Sequence, residues 1–256
     1  MAVIAVFNQK GGVGKTTTTL NVAAALAMLE RKPVVIDLDP QAHVSLALGV
    51  KNLPGNQCSS AFYRDQRPLA ELVRNAGNGV RLVPAHPDLS KVDAMLGGTK
   101  GVAGLLRSGL RQGLMSESEP ILIDCAPALG VLSLNALLAA DRVLIPVTSD
   151  YLAMQGLNRL DIALRVLEQQ LKRTIERRIV LTRFHEDKPQ CRDALATLRQ
   201  RYGAALCDNH IRDDPALAES PAHGMDIFAY AGESRGAHDY RMLTMELLQK
   251  GFFKPL

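Results

Sequence analysis

A glycine-rich loop with two lysines carries most of the chemistry that this sequence can perform. Residues 10–17 read K-G-G-V-G-K-T-T. The ordinary phosphate-binding loop has the pattern G-x-x-x-x-G-K-[ST], whose backbone N–H groups surround the phosphates of a nucleotide. Here Gln9 occupies the place of the first glycine, and Lys10 is an additional lysine. The loop is therefore a variant of that pattern, and it predicts binding of a nucleoside triphosphate.

Each position of this loop has a predicted task. The glycines let the main chain approach an anion without a Cβ in the way. Lys15 would reach the β- and γ-phosphate oxygens, the Thr16 hydroxyl would ligate Mg²⁺, and Thr17 would contact the α-phosphate. The residues expected to hold the nucleotide are Gly11, Gly12, Val13, Gly14, Lys15, Thr16 and Thr17.

The additional lysine, Lys10, lies just before the glycines. We expect the Lys10 side chain to point away from its own loop, toward a nucleotide held by a second copy of the chain. An arginine finger supplied in this manner raises a hydrolysis rate by about 10³ to 10⁵. The alternative interpretation is a solvated loop lysine.

A strand and a helix must flank the loop if it is to hold phosphates. Residues 2–7 form a continuous apolar run of strand length, and residues 18–30 carry apolar side chains at helical spacing. In this arrangement the backbone N–H groups and the positive end of the helix dipole converge on one anion.

Carboxylates stand at the ends of two further apolar runs. Asp37 and Asp39 come at the end of residues 33–37, and Asp124 closes residues 120–124. Ligands of open α/β sheets bind beyond the carboxyl ends of the strands, so we expect these carboxylates beside the phosphates. Capping of the following helix is the alternative role for each of them.

These motifs resemble those of the ParA/MinD family of ATPases, which have a deviant Walker A loop, and more closely the ParA/Soj partition proteins. Residues 34–41, V-V-I-D-L-D-P-Q, are similar to the second motif of the family. Residues 121–130, I-L-I-D-C-A-P-A-L-G, are similar to its Walker B strand and switch. The resemblance continues through 135–137 and 143–147 and covers essentially the whole chain.

The resemblance implies an ATPase that uses ATP and Mg²⁺. Lys10, Lys15 and Asp39 would be its catalytic residues, with Asp39 orienting or activating the attacking water. Asp37 would act near the Mg²⁺ shell or on the loop itself, and Asp124 would hold Mg²⁺ through water or through Thr16. The implied metal-site residues are Thr16, Asp37 and Asp124.

The resemblance also implies a cellular role. ATP would close two subunits face to face, and this homodimer would bind DNA without sequence preference until hydrolysis releases it. An adaptor on a cargo would stimulate hydrolysis, and the cargo could be a plasmid, a chromosome origin, a carboxysome or a protein cluster. Such a protein would be cytoplasmic and nucleoid-associated.

Two segments depart from the family pattern. Ala42-His43 replaces the small residues that usually follow D-P-Q, and His43 is either a polar contact near the nucleotide or a surface group. Residues 211–221 read I-R-D-D-P-A-L-A-E-S-P, where relatives usually have I-P-R-N-V-R-L-S-E-A-P. A DNA-contacting arginine of some relatives falls on Ala216, with Arg212 as a candidate partial replacement. Lys188 lies near another basic position of the family. The resemblance places adenine against the backbone of Arg212, Asp213 and Asp214.

The composition limits the class of protein. A chain of 256 residues with 47% hydrophobic residues fits one α/β domain, which we expect to span residues 1–256. No apolar run reaches 18 residues, and the chain enters a strand directly without a basic leader, so we expect neither secretion nor a membrane span. The cysteines are scattered without C-x-x-C spacing, which disfavours a disulfide framework or a zinc site: Cys58, Cys125, Cys191 and Cys207.

Positive charge is concentrated in one part of the chain. The net charge is +4, and residues 159–201 contain eleven Lys or Arg residues against six Asp or Glu residues. This segment predicts a non-specific DNA-binding surface through phosphate neutralisation. Two solvated helix faces are the alternative.

The alternation of strand and helix patterns predicts a three-layer α/β/α sandwich with a mostly parallel, doubly wound sheet. Residues 51–60 are expected to form a loop. Strands are predicted at 2–7, 33–37, 80–84, 120–124, 142–147 and 178–184. Helices are predicted at 59–76, 88–113, 130–139, 153–172, 190–202 and 235–250.

Two other functional classes share this type of loop. A MinD-like membrane-associated positioning ATPase would dock through an amphipathic tail, but residues 242–254 carry few lysines, and their apolar run ends at Gly251. This tail fits a core-packing helix better, so no membrane attachment is expected. An iron–sulfur carrier would need differently placed cysteines, since Cys125 directly follows Asp124.

Overall fold

A mostly parallel β-sheet forms the centre of the computed structural model, which describes residues 2–97, 101–114 and 119–254. Within these residues the sheet has seven strands in the order β3-β4-β2-β5-β1-β6-β7, and only the β3–β4 pair is antiparallel. The strands are β1 (Val3–Val6), β2 (Val34–Leu38), β3 (Arg74–Asn75), β4 (Arg81–Val83), β5 (Ile121–Cys125), β6 (Arg142–Thr148) and β7 (Glu176–Thr182).

Helices cover both faces of the sheet because side chains alternate along each strand. Ile4 and Val6 face one apolar core, whereas Val3 and Ala5 face the other. The first core is covered by α1 (Lys15–Met28), α2 (His43–Ala47), α10 (Pro215–Glu219), α11 (Ile227–Ala231) and α12 (Arg235–Gln249). The second is covered by α3 (Ser59–Asp65), α4 (Leu69–Leu72), α5 (Val92–Leu96), α6 (Leu105–Gly113), α7 (Val131–Ala139), α8 (Tyr151–Leu171) and α9 (Pro189–Tyr202). This arrangement confirms the predicted three-layer, doubly wound class.

The register of the sheet brings the chemical motifs together at the carboxyl ends of neighbouring strands. Val6, Asp37 and Asp124 occupy the same level of the sheet, since Asp124 pairs in register with both of the others. The loop after β1, the loop after β2 and the end of β5 therefore meet beyond the carboxyl ends of three adjacent parallel strands.

The predicted helix 59–76 is wrong as a single helix. The chain forms α3 and α4 there, and its last residues form the edge strand β3. Gln66 takes a left-handed backbone with φ of 54°, and Pro68 has no N–H group to continue a helical ladder. The chain must therefore turn between the two short helices.

The predicted helix 88–113 is also wrong as a single helix. A 3₁₀ turn at Pro87–Lys91 leads into α5, and a second one at Val102–Gly104 leads into α6. Residues 98–100, within the predicted range, lie outside the described residues. Gly101 has φ of 86°, a conformation that does not belong to a right-handed helix.

Three short helices, α2, α10 and α11, are absent from the sequence-based prediction. Each has five residues, which is less than two helical turns and too short for a periodic pattern. The predicted loop at 51–60 contains a 3₁₀ turn at Gly55–Gln57, and α3 already begins at Ser59. The other predicted strands and helices end within two residues of the observed ones.

Candidate nucleotide-binding site

The loop between β1 and α1 forms an open cradle for an anion. Gly12 and Gly14 have φ of 73° and 83°, left-handed values that a glycine adopts without strain. A Cβ built on Gly11 or Gly12 would meet no atom of the described residues within 4 Å. Among the same residues no side chain caps the start of α1, and the first turn of this helix holds no acidic residue. The first N–H groups of α1 are therefore available to a bound anion, which is the fit that phosphates require.

Lys15 brings a partly desolvated positive charge to this cradle. The residue is only 7% exposed, and its Nζ donates a hydrogen bond to the Lys10 carbonyl oxygen at 2.9 Å. Burial lowers the pKa of Lys15, and the nearby charge of Asp124 partly opposes this effect. An anionic ligand would stabilise the Lys15 ammonium group, because it would replace the hydration that burial removes.

Asp124 and two threonine hydroxyls form the second part of the site. Thr16 Oγ1 and Thr19 Oγ1 each donate to one carboxylate oxygen of Asp124, both at 2.9 Å. Asp124 is fully buried, and burial together with the charge of Asp37 raises its pKa to about 8 despite these hydrogen bonds. A hydroxyl and a carboxylate are the oxygen donors that Mg²⁺ prefers, so Thr16 and Asp124 fit this ion.

Asp37 and Asp39 have different surroundings although they are two residues apart. Asp37 is fully buried. One of its carboxylate oxygens accepts the Asp39 N–H at 3.0 Å, and the other accepts the N–H and hydroxyl of Ser45 at 3.0 and 2.7 Å. Burial raises the pKa of Asp37 to about 6, and the Ser45 hydroxyl counteracts it. Asp37 thus fixes the turn into α2, whereas Asp39 lines the cavity over the cradle.

Lys10 lies at the mouth of the cradle and is held by its own chain. Its ammonium group pairs with Asp150, the N-cap residue of α8. Partial burial would raise the pKa of Asp150, but hydrogen bonds from Lys10 and Thr148 lower it to about 2. The Lys10 side chain remains 32% exposed. Lys10 therefore points outward, while its carbonyl oxygen serves Lys15.

Sequence reasoning missed Asp150 and two further residues that support the loop. Thr182, at the end of β7, donates to the Val13 carbonyl oxygen at 2.9 Å and lies 3.2 Å from the Val147 carbonyl oxygen. The Tyr240 hydroxyl lies 3.1 Å from Thr18 Oγ1. An aspartate directly before a periodic apolar segment is a helix-capping signal, so Asp150 had a signal in the sequence. The sequence contains no comparable signal for the contacts of Thr182 and Tyr240.

A cavity of about 490 Å³ connects the cradle to the segment after Ile211. It brings together most of the predicted nucleotide-binding residues, whereas Lys10, Val13, Asp37 and Asp124 lie outside its lining. The predicted residues that line it are Gly11, Gly12, Gly14, Lys15, Thr16, Thr17, Asp39, Arg212, Asp213 and Asp214. His43, for which the surface interpretation is the favoured one, is exposed and also lines the cavity.

The Arg212 guanidinium is engaged within the chain. Its Nη2 donates to Asp239 Oδ1 at 2.6 Å and its Nε donates to Asp239 Oδ2 at 3.0 Å. The guanidinium is therefore held by Asp239 beside the cavity, and the suggestion that Arg212 replaces a DNA-contacting arginine stays a prediction. Lys188 is exposed at the start of α9.

A parallel sheet with a strand, glycine loop and helix over two buried carboxylates defines a P-loop nucleotide-binding protein. A family model described as an AAA domain matches residues 1–177. The chain is 35% identical to the chromosome partitioning protein ParA of Myxococcus xanthus, covering 97% of this chain and 88% of that protein. It is 36% identical to the chromosome-partitioning ATPase Soj of Thermus thermophilus, over 96% and 95% of the two chains. The chain belongs to the ParA/Soj family of partitioning ATPases.

A solved structure shares the fold of the chain. Cobyrinic acid a,c-diamide synthase from Mycobacterium smegmatis, with a bound ATP analogue and magnesium, is 27% identical to the chain. Its TM-score is 0.82, and the match covers 100% of this chain and 98% of that one. The α/β architecture described above is therefore shared by a protein whose nucleotide site was seen occupied.

Proposed function

We propose that the chain is a dimeric switch driven by ATP, which binds DNA in its ATP form and positions or segregates an intracellular cargo. Its membership of the family makes it an ATPase with ATP and Mg²⁺ as the nucleotide and the metal. The proposal depends on the different positions of two lysines. Lys15 is buried in the cradle, whereas the Lys10 ammonium is held outside it by Asp150.

The residues of the site divide the work of hydrolysis. Lys15 and the amides of the loop hold the triphosphate, and Thr16 and Asp124 hold Mg²⁺. When bound, Mg²⁺ neutralises charge that develops on the transferred phosphoryl group. Asp39, the carboxylate that lines the cavity, orients the attacking water. Asp37 acts through the turn that carries Asp39, since both of its oxygens accept hydrogen bonds from that turn.

Exposed apolar side chains near Lys10 support a face-to-face homodimer. Tyr151 and Leu152 follow Asp150 directly and are 73% and 69% exposed. Leu129, 55% exposed, lies two residues beyond Pro127, which lines the cavity. Exposed large apolar side chains near a ligand site are typical of a surface that another protein covers. A second subunit on this face would bring the partner's Lys10 toward the phosphates.

The exposed arginines of α8 and α9 support non-specific DNA binding. Arg192 and Arg199 are seven residues apart on α9 and therefore share a face, and Arg159 is exposed on α8. The basic surplus counted over 159–201 overstates this surface. Three of its arginines have side chains at most 20% exposed and are held by internal ion pairs or carbonyl contacts: Arg173, Arg177 and Arg178. Arg165, Arg183 and Arg192 also make such contacts but remain exposed.

The cellular part of the proposal is a partitioning cycle. The ATP dimer would be cytoplasmic and nucleoid-associated, and an adaptor bound to the cargo would stimulate hydrolysis and release the dimer. The cargo would be a plasmid, a chromosome origin, a carboxysome or a protein cluster. The proteins named ParA and Soj that resemble the chain over nearly its full length support a partitioning role.

The tail of the chain gives no support to membrane docking. The helix α12 buries Tyr240, Leu243 and Leu247, and Phe252 is buried beyond its end, which confirms the predicted core-packing helix. Among the helices of the described ranges, none combines the length and the apolar character that a bilayer crossing requires. Sedimentation with liposomes of anionic phospholipid provides the membrane arm of the test below, where no cosedimentation is expected.

A gel-shift titration on random-sequence DNA tests the switch. We expect binding with Mg-ATP and none with Mg-ADP, and we expect Asp39→Ala to remain bound because it does not hydrolyse ATP. In the double variant Arg192→Ala/Arg199→Ala, the slope of log K for DNA binding against log salt concentration should become less negative by about two. Each phosphate contact contributes about 0.9 to this slope.

The double variant Arg31→Ala/Lys32→Ala is the matched control for this titration. Arg31 and Lys32 are exposed and lie after the end of α1, so their loss removes the same two charges from another surface. Equal DNA binding by the ATP and ADP forms would contradict the switch. An unchanged salt slope in Arg192→Ala/Arg199→Ala would contradict the DNA surface.

A further inference from the structure

Helix α8 presents two large apolar side chains to solvent away from the nucleotide site. Ile162 is 64% exposed and Val166 is 49% exposed. They are four residues apart and are therefore neighbours on one face of the helix. At a rise of about 1.5 Å per residue, Ile162 lies about 18 Å along the helix from its N-cap, Asp150. The pair is thus separate from Tyr151 and Leu152, which stand at the N-terminal end of α8.

The pair lies on the side of α8 opposite to the side that packs on the sheet. The inward side is formed by Leu157, Leu160 and Leu164, which are buried. Since about 3.6 residues make one turn, Ile162 and Val166 point away from these leucines. Neither side chain of the pair packs against the core that the described residues form. Exposure of the pair therefore has no explanation in the packing of this chain.

Exposed arginines flank the apolar pair on both sides. Arg159 and Arg165 are exposed, and the helical spacing places them on opposite sides of the line that joins Ile162 to Val166. Arg165 contacts the Asp161 carboxylate at 3.1 Å, yet its side chain remains 72% exposed. A partner that covers the pair would therefore meet a guanidinium group at each edge.

The acidic side chains of α8 are turned toward the rest of the chain. Asp161 and Glu168 are the carboxylates of this helix, and their side chains are 14% and 18% exposed. Arg177 of β7 forms an ion pair with each of them. The outward face of α8 therefore carries positive charge that no exposed carboxylate of the same helix balances.

The combination of apolar and positive groups favours one kind of partner. DNA phosphates would pair with Arg159 and Arg165 but would bring no apolar contact to Ile162 and Val166. A second copy of α8, packed on the same face about a two-fold axis, would place like charges against each other, which opposes association. An apolar stripe with acidic side chains along both edges matches the surface in polarity and in charge.

We propose that this face of α8 binds an amphipathic helix of another protein, with Asp or Glu on both flanks of its apolar stripe. Apolar side chains at three- and four-residue spacing would cover Ile162 and Val166, the usual manner in which an amphipathic helix docks. The carboxylates would pair with Arg159 and Arg165. The inference goes beyond the proposed function, since ATP hydrolysis does not depend on it. Arg159 also belongs to the proposed DNA surface, so the helix and DNA would compete for it.

Two synthetic helical peptides test the inference in the nucleotide-free chain. They share one apolar stripe and carry either Glu or Lys on both of its flanks. Fluorescence anisotropy of the labelled peptides should show that the wild type binds the Glu peptide about tenfold more tightly than the Lys peptide. Ile162→Ser/Val166→Ser should weaken binding of the Glu peptide about tenfold. Arg159→Glu/Arg165→Glu should reverse the preference and bind the Lys peptide more tightly.

Met242→Ser/Met245→Ser is the matched control. Both methionines are exposed apolar residues of another helix, α12, so binding of the Glu peptide should stay at the wild-type level. Equal binding of the two peptides by the wild type, or unchanged binding by Ile162→Ser/Val166→Ser, would overturn the inference. Both results leave the ATPase rate and the proposed function untouched.

Two other occupants of this face have their own readouts. If sedimentation of the nucleotide-free wild type shows a dimer that Ile162→Ser/Val166→Ser abolishes, a second copy covers the face. If anionic vesicles sediment the wild type but not this variant, lipid covers it. Either result would overturn the assignment to an acidic helix. We expect a monomer in the first assay and no cosedimentation in the second.

Discussion

Thr182→Val tests whether β7 holds the phosphate loop in its binding conformation. Thr182 is 2% exposed, and its hydroxyl donates to the Val13 carbonyl oxygen at 2.9 Å. Valine has nearly the same shape, so the change removes the hydrogen bond without opening a cavity. A buried carbonyl group that loses its partner costs about 1–3 kcal/mol. We expect the free energy of unfolding to fall by about 1–2 kcal/mol.

The same change should weaken nucleotide binding, because the loop is no longer held in one conformation before it meets its ligand. If about 1 kcal/mol of this loss acts on the bound state, the Kd for Mg-ATP should rise about fivefold. Urea titration measures the first quantity and isothermal calorimetry the second. Thr197→Val is the control, since Thr197 is exposed and donates only to the Asp193 carbonyl oxygen. A Thr182→Val variant that loses stability but binds Mg-ATP like the wild type would refute the reasoning.

Three further predictions concern the carboxylates of the site. Asp124→Asn removes a fully buried charge, so the nucleotide-free variant should be more stable than the wild type by about 1–3 kcal/mol at pH 9. The variant should have no Mg²⁺-dependent ATP hydrolysis. A urea midpoint lower than that of the wild type at pH 9 would contradict the expected stability. In the wild type, burial raises the pKa of Asp37 to about 6 and that of Asp124 to about 8. At these two carboxyl groups the folded chain binds more protons than the unfolded chain between about pH 4 and 8. The stability of the nucleotide-free chain should therefore fall as pH rises through this interval. A urea midpoint that rises from pH 5 to pH 8 would contradict this prediction. Asp150→Asn keeps the cap of α8 but loses the charge that holds Lys10, a partly exposed pair worth about 0.2–1 kcal/mol. ATP-dependent self-association measured by sedimentation should strengthen up to about fivefold, and weaker association would show that the pair does not restrain Lys10.

The cradle could be predicted from the sequence because its information is local. Glycines, lysine and threonine at fixed offsets determine the turn between one strand and one helix, and the helix start then places the amides. Asp39 and Asp124 were also predictable, since each ends an apolar strand of a parallel sheet. The sheet register that brings Asp37 level with Asp124 is seen only in the structure.

Contacts between distant segments could not be predicted in this way. Thr182 meets Val13 only because β7 and β1 are both held by β6. The sequence pattern predicts one helix over 59–76, but the turn at Gln66 and Pro68 interrupts it. The chain then continues through α4 into the edge strand β3. The segment at 212–214 departs from the family pattern, and only the structure shows which groups its side chains meet. Arg212 and Asp214 make hydrogen bonds within the chain, whereas the Asp213 carboxylate lies 3.5 Å from Arg183 and His185.

The central claim is that Lys10 of one subunit acts on the nucleotide of the other. A mixing experiment with two inactive variants, Lys10→Ala and Asp39→Ala, tests it most directly. In a mixed dimer one site has its own Asp39 and receives Lys10 from the partner, so an equal mixture should recover about a quarter of the wild-type ATPase rate, as random pairing in a two-fold dimer requires. A mixture no more active than its two components would show that Lys10 does not act across the interface.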